Sequence, residues 1–309
     1  MKVSVIMPVE RLGGHAERAI DSVLRQQAPF EFELIAVSAA PLSLPAEAAV
    51  QNVVEPNRNP ATRRNRAVSA ASGEILAFID DDALADPCWL ATACAYLDAH
   101  PDVLALGGPD PAPADSSVAE LFSDTLLATR WIGSGVLAHE DRDGVFAIEH
   151  PSDIALVNLF VRRDAFDGFD ESIGYIGEDT ALVDRVMTRG RVIYHSGVRV
   201  FHRRRAFPGE YLRQRWRYRV KTGQLMMQPG YRANPKIKVF FAGAALMFLF
   251  FPILAVPYYV ATLILGASAT RLPRRFWPLI PVAFAAHHVT YFVALVWGAV
   301  AGRLHGRRR

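Results

Sequence analysis

Three carboxylates stand side by side at Asp80, Asp81 and Asp82, directly after the apolar run EILAFI. Adjacent carboxylates repel unless a cation or positive group offsets them. Oxygen ligands at a strand end suit Mg²⁺ or Mn²⁺, ions that commonly bridge to substrate phosphates. The triplet also reads as a solvated turn in which Asp82, or nearby Asp86, caps a helix opening near Pro87. A second acidic pair, Glu178-Asp179, follows Gly177 and opens a helix over 180–188 with an apolar stripe at Leu182, Val183 and Val186. The helix dipole favours negative charge there. A carboxylate in a cleft could equally take the proton of a hydroxyl. Third, His202 follows VRVF and precedes Arg203-Arg204-Arg205. A neutral imidazole can ligate a metal and arginines hold phosphates, although a lone histidine is more often structural.

These residues need elements to hold them. Residues 3–7 form a short apolar run ending at Pro8, which reads as a buried strand. Residues 16–26 show a helical stripe through Ala19, Ile20, Val23 and Leu24. Strand-like runs follow at 33–37, 74–79 and 103–106, with helices at 61–71 and 87–100 between them. Strands alternating with helices predict a mostly parallel sheet flanked on both faces, with ligands beyond the carboxyl ends of the strands. The acidic triplet falls at such an end. Pro-rich stretches at 41–45 and 109–113 read as loops, and 134–153, with little periodicity, as a mobile loop.

Composition bounds the class. The chain has 309 residues, 51% hydrophobic and 21% charged, which excludes a disordered chain. Two cysteines exclude a disulfide scaffold. The opening MKVSVIMPV is too short for a signal peptide, so the first domain is expected to fold in the cytosol. The net charge of +3 hides a sharp split. Residues 1–201 hold 30 acidic and 16 basic side chains, whereas 202–309 hold 18 basic ones and a single acid, Glu210. Such asymmetry suggests a membrane or nucleic-acid surface. Leu212, Trp216, Val220 and Leu225 recur near helical spacing among arginines, as in a helix lying in the headgroup layer; a surface helix packed on the catalytic domain is the alternative. The basic cluster abuts 32 uncharged residues, 239–270, which favours phospholipid over nucleic acid as partner. A second apolar run covers 276–302. Both exceed the about 20 residues that cross a bilayer core. Pro252 and Pro257 are expected to kink the first, and a re-entrant hairpin there rivals a simple crossing. Two crossings would leave both ends in the cytoplasm and put Arg271, Arg274 and Arg275 on the far side.

The segments VSVIMPV, AERAIDSVLRQQ, FELIAV, ATRRNRAV, SGEILAFIDDD and GFDESIGYIGEDTAL occur in an order and at intervals that resemble glycosyltransferase family 2. The resemblance covers roughly residues 3–205. It is similar in particular to membrane-attached bacterial members that make cell-surface polysaccharide or lipid-linked glycans. It implies a GT-A fold over 1–205, followed by a basic interfacial helix region at 206–238 and a multi-pass membrane domain at 239–309 in the inner (plasma) membrane, with the catalytic domain cytoplasmic.

The implied activity is inverting transfer from a nucleotide-diphosphate sugar to a hydroxyl of a membrane-associated, lipid-linked or polysaccharide acceptor, with Mg²⁺ or Mn²⁺ at the diphosphate. The triplet matches the family's DxD motif: Asp80 would approach ribose or metal, Asp81 the nucleotide, and Asp82 the cation. Glu178-Asp179 matches its ED motif, with Asp179 the general base and Glu178 beside the acceptor. Pro8, Val9 and Glu10 match the loop lining the base pocket, and Arg64 a position near the nucleotide. His202 falls where some related enzymes place a further metal ligand. Gly107 and Gly108 would form a tight loop beside the acceptor, and Arg215 and Trp216 echo a shortened acceptor-side QxxRW motif. The chain also departs from the pattern. Ser38-Ala39-Ala40 replaces the acidic turn that reads the nucleobase, and Glu10-Arg11 replaces the residues after the Pro-Val pair. These departures support a rival reading, an inactive scaffold or binding protein of an envelope polysaccharide assembly.

Overall fold

The computed structural model describes residues 1–44, 50–173, 176–227, 243 and 250–306. Its strands and helices are, in chain order, β1 (Lys2–Pro8), α1 (Gly14–Leu24), β2 (Glu31–Ser38), β3 (Val50–Val54), α2 (Pro60–Ala70), β4 (Ile75–Phe78), β5 (Ala83–Ala85), α3 (Trp89–Ala99), β6 (Val103–Gly107), α4 (Val118–Ala128), β7 (Val145–Ala147), β8 (Leu159–Arg162), α5 (Glu178–Met187), β9 (Arg191–His195), β10 (Val200–His202), α6 (Gly209–Leu225), α7 (Phe251–Ala269) and α8 (Ile280–Gly306). The chain packs as two units. The first comprises Met1–Pro113 and Val136–Arg203, the second Ala114–Gly135 and Arg204–Arg309.

The first unit is the expected α/β sheet. Its strands lie in the order β3-β2-β1-β4-β8-β6-β9-β7. Strands β3, β2, β1 and β4 run parallel to one another, as do β6 and β9. Alternation along β1 explains the two-layer core. Val3, Val5 and Met7 face α1 and α3, through Ile20, Val23, Trp89 and Leu90. Ile6 faces the other way, towards Ala67 of α2 and Leu182 and Val186 of α5. The fully buried β4 (ILAF) sits mid-sheet. Local signals fix the helix starts: Asn59 caps α2 ahead of Pro60, and Ser117 with Glu120 forms a capping box on α4.

Two elements differ from the sequence expectation. β8 inserts antiparallel between β4 and β6. Its four residues are too short to announce a period. Residues 134–153 are not one mobile loop: they contain β7, which pairs antiparallel with β9 from Val145 against His195. That pairing satisfies backbone groups that periodicity alone does not reveal.

In the second unit, Phe122, Leu126, Tyr211, Leu272 and Phe284 share a core. The segment Arg274–Arg303 is long and apolar enough to cross a membrane, and Ile253–Ala269 is a shorter apolar helix. The helix α7 continues through Pro257. Most of 239–250, the start of the first apolar run, lies outside the described residues.

Buried Asn158 joins layers of the first unit. It accepts from Trp89 Nε1 at 2.8 Å and donates to the carbonyls of Val198 at 2.7 Å and Pro109 at 3.2 Å. Asn158→Ala strands all three partners in a buried site and is expected to cost about 2–4 kcal/mol. Thermal unfolding of the full chain in detergent checks it; an unchanged melting point contradicts the role.

Candidate functional site in the first unit

Parallel register carries the chemistry to one edge. Pro8 pairs with Val37, and Ile6 pairs with Phe78. The chain therefore leaves β1, β2 and β4 at the same carboxyl edge, delivering Glu10, the turn 38–40 and the triplet 80–82 together. His202 arrives separately. β10 runs antiparallel to β5, with His202 opposite Ala83, the residue after Asp82.

Asp80, Asp82 and His202 each offer a ligand atom, all within 4.8 Å of one another. His202 Nε2 stands 3.2 Å from Asp82 Oδ1. Two carboxylates and an imidazole, partly exposed on one side, fit a hard divalent cation with open positions for substrate. Behind His202 lies Asp110, fully buried in the loop after β6, its Oδ2 3.6 Å from His202 Nδ1. The other Asp110 oxygen meets His139 Nδ1 at 2.7 Å. A carboxylate behind a ligating imidazole orients the ring and fixes which nitrogen faces the metal. Neither Asp110 nor His139 carries a sequence signal, since one sits in a Pro-rich loop and the other in a segment without period.

Electrostatics bind the rest together. Buried Arg64 reaches Asp80 Oδ1 at 3.1 Å and Glu178 Oε1 at 3.3 Å. Burial raises the Glu178 pKa, neighbouring Asp179 raises it further, and Arg64 opposes both. Asp81 is pushed up to about 6, first by burial and then by Asp82 and Asp80, against a 3.0 Å hydrogen bond from the Glu10 N–H. Glu10 also lies 3.4 Å from Arg63. Gly177 turns into α5 at a φ of 100°, a conformation that favours glycine. That turn sets Glu178 and Asp179 in the first helical turn. Asp179 Oδ1 accepts from the Thr180 N–H at 2.7 Å.

The remaining expected residues fall as follows. Pro8 ends β1, and Val9 is buried, its N–H bonded to Val37 O at 2.8 Å. Gly107 ends β6 and Gly108 follows it, both buried, and a side chain on Gly108 would run into the carbonyls of Val198 and His195. Arg215 and Trp216 belong to the second unit: Arg215 is buried against the Tyr211 and Tyr218 rings, and Trp216 is exposed. The turn that replaces the family's acidic one is held by Asn52, whose side chain donates to Ser38 Oγ at 2.9 Å and accepts from the Leu42 N–H at 2.9 Å. A narrow cleft beside Asp82 is lined by His15, Arg18, Leu84 and Arg203.

A mostly parallel sheet flanked by helices, with acids and a histidine gathered beyond its carboxyl edge, defines the GT-A class of fold. The family model "Glycosyl transferase family 2" matches residues 4–166, more than half of the chain, and the chain belongs to that family. A curated relative, the glucosyl-dolichyl phosphate glucuronosyltransferase of Haloferax volcanii, is 26% identical over 158 residues. That stretch is 48% of this chain, and the chain spans about half (48%) of the relative's length. The crystal structure of S. aureus TarS 1-349 is 16% identical, with a TM-score of 0.50 over 96% of this chain and 90% of that one, a likeness of fold. The mannosyltransferase PcManGT from Pyrobaculum calidifontis, in complex with GDP-Man and Mn²⁺, is 20% identical, with a TM-score of 0.49 over 94% of this chain and 86% of that one.

Arg64→Met removes the cation between Asp80 and Glu178. The expected loss is about 3 kcal/mol at pH 8, shrinking at pH 5.5. Glu178 already has a raised pKa, so lowering the pH protonates it, and a neutral carboxyl leaves less charge for Arg64 to offset. Melting curves at the two pH values check this; a pH-independent loss would assign Arg64 to packing alone.

Proposed function

We propose that the protein is a membrane-attached inverting glycosyltransferase. It moves a sugar from a nucleotide-diphosphate donor to a hydroxyl of a lipid-linked acceptor, with residues 1–205 as the catalytic domain facing the cytoplasm. The observation that carries this reading is the convergence of Asp80, Asp82 and His202 at the carboxyl edge of the sheet. Membership of glycosyl transferase family 2 supports the reaction class. The relative that acts on a dolichyl phosphate supports a lipid-linked acceptor.

Asp80, Asp82 and His202 would hold Mg²⁺ or Mn²⁺, whose charge offsets that of the departing diphosphate. Arg64, 3.1 Å from its Oδ1, orients Asp80. Asp179, in the first turn of α5, takes the proton of the acceptor hydroxyl as it attacks the anomeric carbon from the face opposite the leaving group. The donor's base would lie beside Glu10 and the Asn52-braced turn. That turn has no carboxylate of its own to accept from a base edge, so donor choice is set by other groups.

A panel of nucleotide sugars titrated with Mn²⁺ tests the reading, and one should bind only with the metal. Asp179→Asn should lower transfer about 10²–10⁴-fold while donor affinity stays within about threefold. Full transfer by that variant removes Asp179 from the role. Asp82→Ala should weaken metal-dependent donor binding; unchanged binding removes the metal assignment. Donor binding without product from any lipid acceptor would favour the inactive-scaffold alternative.

A further inference from the structure

The second unit separates charge from apolar surface along its helices. Helices α6 and α8 run parallel and touching. Tyr211 Oη meets His287 Nδ1 at 2.9 Å, and the Arg219 guanidinium lies 3.9 Å from the Tyr291 ring centre. Further along, a Cβ on Gly223 would fall 2.7 Å from the Ala299 nitrogen, and one on Gly302 3.1 Å from Gln224 Cα. Contacts thus advance together, from Tyr211 beside His287 to Gln224 beside Gly302. At 1.5 Å per residue, α6 accompanies α8 for about 20 Å. Over that stretch α6 carries Arg213, Arg215, Arg217, Arg219 and Lys221 and no acid. Arg213 and Arg217 are exposed.

The opposite face of α8 is apolar. Val282, Val289, Val293, Val296 and Val300 form one exposed stripe, turned away from the Phe284, His287 and Tyr291 side. On α7, Ile253, Val256, Val260 and Ile264 form another. The loop joining the two helices is tied down. Arg271 and Arg204 both reach Asp124, each at 3.0 Å, and Thr270 bonds Thr125 at 2.7 Å. Arg204 is where the chain passes in from the first unit.

A hairpin crossing the bilayer fits neither fact. It would need the 270–279 loop on the side away from Arg204, yet both share one carboxylate. It would also carry the cations of α6 about 20 Å into a hydrocarbon core about 30 Å thick. We infer that the second unit docks on a single phospholipid leaflet. Helices α7 and α8 lie in the plane of the interface with their apolar stripes among the acyl chains. Helix α6 rides on α8 and offers Arg213 and Arg217 to anionic headgroup phosphates. Those two arginines, with Arg205, Gln214 and Glu210, line a concavity of about 240 Å³ that accommodates a headgroup phosphate. The inference rests on the reading above for its membrane attachment, and not for its chemistry. It replaces the two crossings expected from the apolar runs.

Nitroxide labels test it in the full chain, reconstituted in phosphatidylcholine vesicles containing phosphatidylglycerol. Val289→Cys and Val300→Cys, each in a Cys88→Ser, Cys94→Ala background, should report similar immersion, about 5–10 Å below the phosphates. Depths differing by about 16 Å would mean that α8 crosses and would overturn the inference. Labels with no immersion would overturn it too. In sealed vesicles, Pro273→Cys and Arg303→Cys should react with an impermeant maleimide from one and the same face; reaction from opposite faces would overturn it. Mn²⁺-dependent nucleotide-sugar binding in the same vesicles separates the two readings. Intact binding with wrong depths removes only the docking, and correct depths without binding remove only the catalytic assignment.

Discussion

The first unit depends on holding several carboxylates together in a small space. Asp80, Asp81, Asp82, Asp110 and Glu178 crowd beyond one edge of the sheet, and their mutual repulsion would open the edge if it went unanswered. Each is answered differently. Arg64 bridges Asp80 and Glu178. A backbone N–H holds Asp81. Imidazoles face Asp82 and Asp110. Arg64 is therefore worth more as a shared counter-charge than as one partner in either pair, because the elements it joins, β4 and α5, lie about a hundred residues apart. On the proposed assignment, Asp80 and Asp82 with His202 would hold a cation between them.

Much of this was legible in the sequence, for physical reasons. Strands buried on both faces announce themselves as apolar runs, so β1, β2 and β4 were readable, and the residues following them had to sit at a common edge once the strands were parallel. The acidic pair after Gly177 was readable because a helix start is marked by composition. What stayed hidden was short or non-local. The strand β8 offers four residues without a period. Asp110 and His139 acquire their partners through folding alone, and Asn52 braces a turn from a neighbouring strand. No local pattern encodes such meetings.

The basic half of the chain shows the converse. Its apolar runs suggested crossings because length and hydropathy are summed along one dimension. Packing adds the second. A helix rich in arginine lies along the apolar helix, glycines let the two backbones touch, and the turn between α7 and α8 is fastened to the same aspartate as Arg204. Hydropathy alone does not register a basic helix packed alongside.

The ribbon of β5 and β10 carries a consequence for the birth of the protein. It pairs residue 83 with residue 202, so the third candidate ligand joins the aspartates only after some 120 further residues have been made. Closing so long a loop costs entropy before any contact repays it, and such pairings form late. A nascent chain would hold its acids without the histidine that completes the set while those residues are added. A cation that binds only the closed ribbon would draw the equilibrium towards it by mass action. If the proposed site holds a divalent metal, that metal would therefore serve as a folding ligand too.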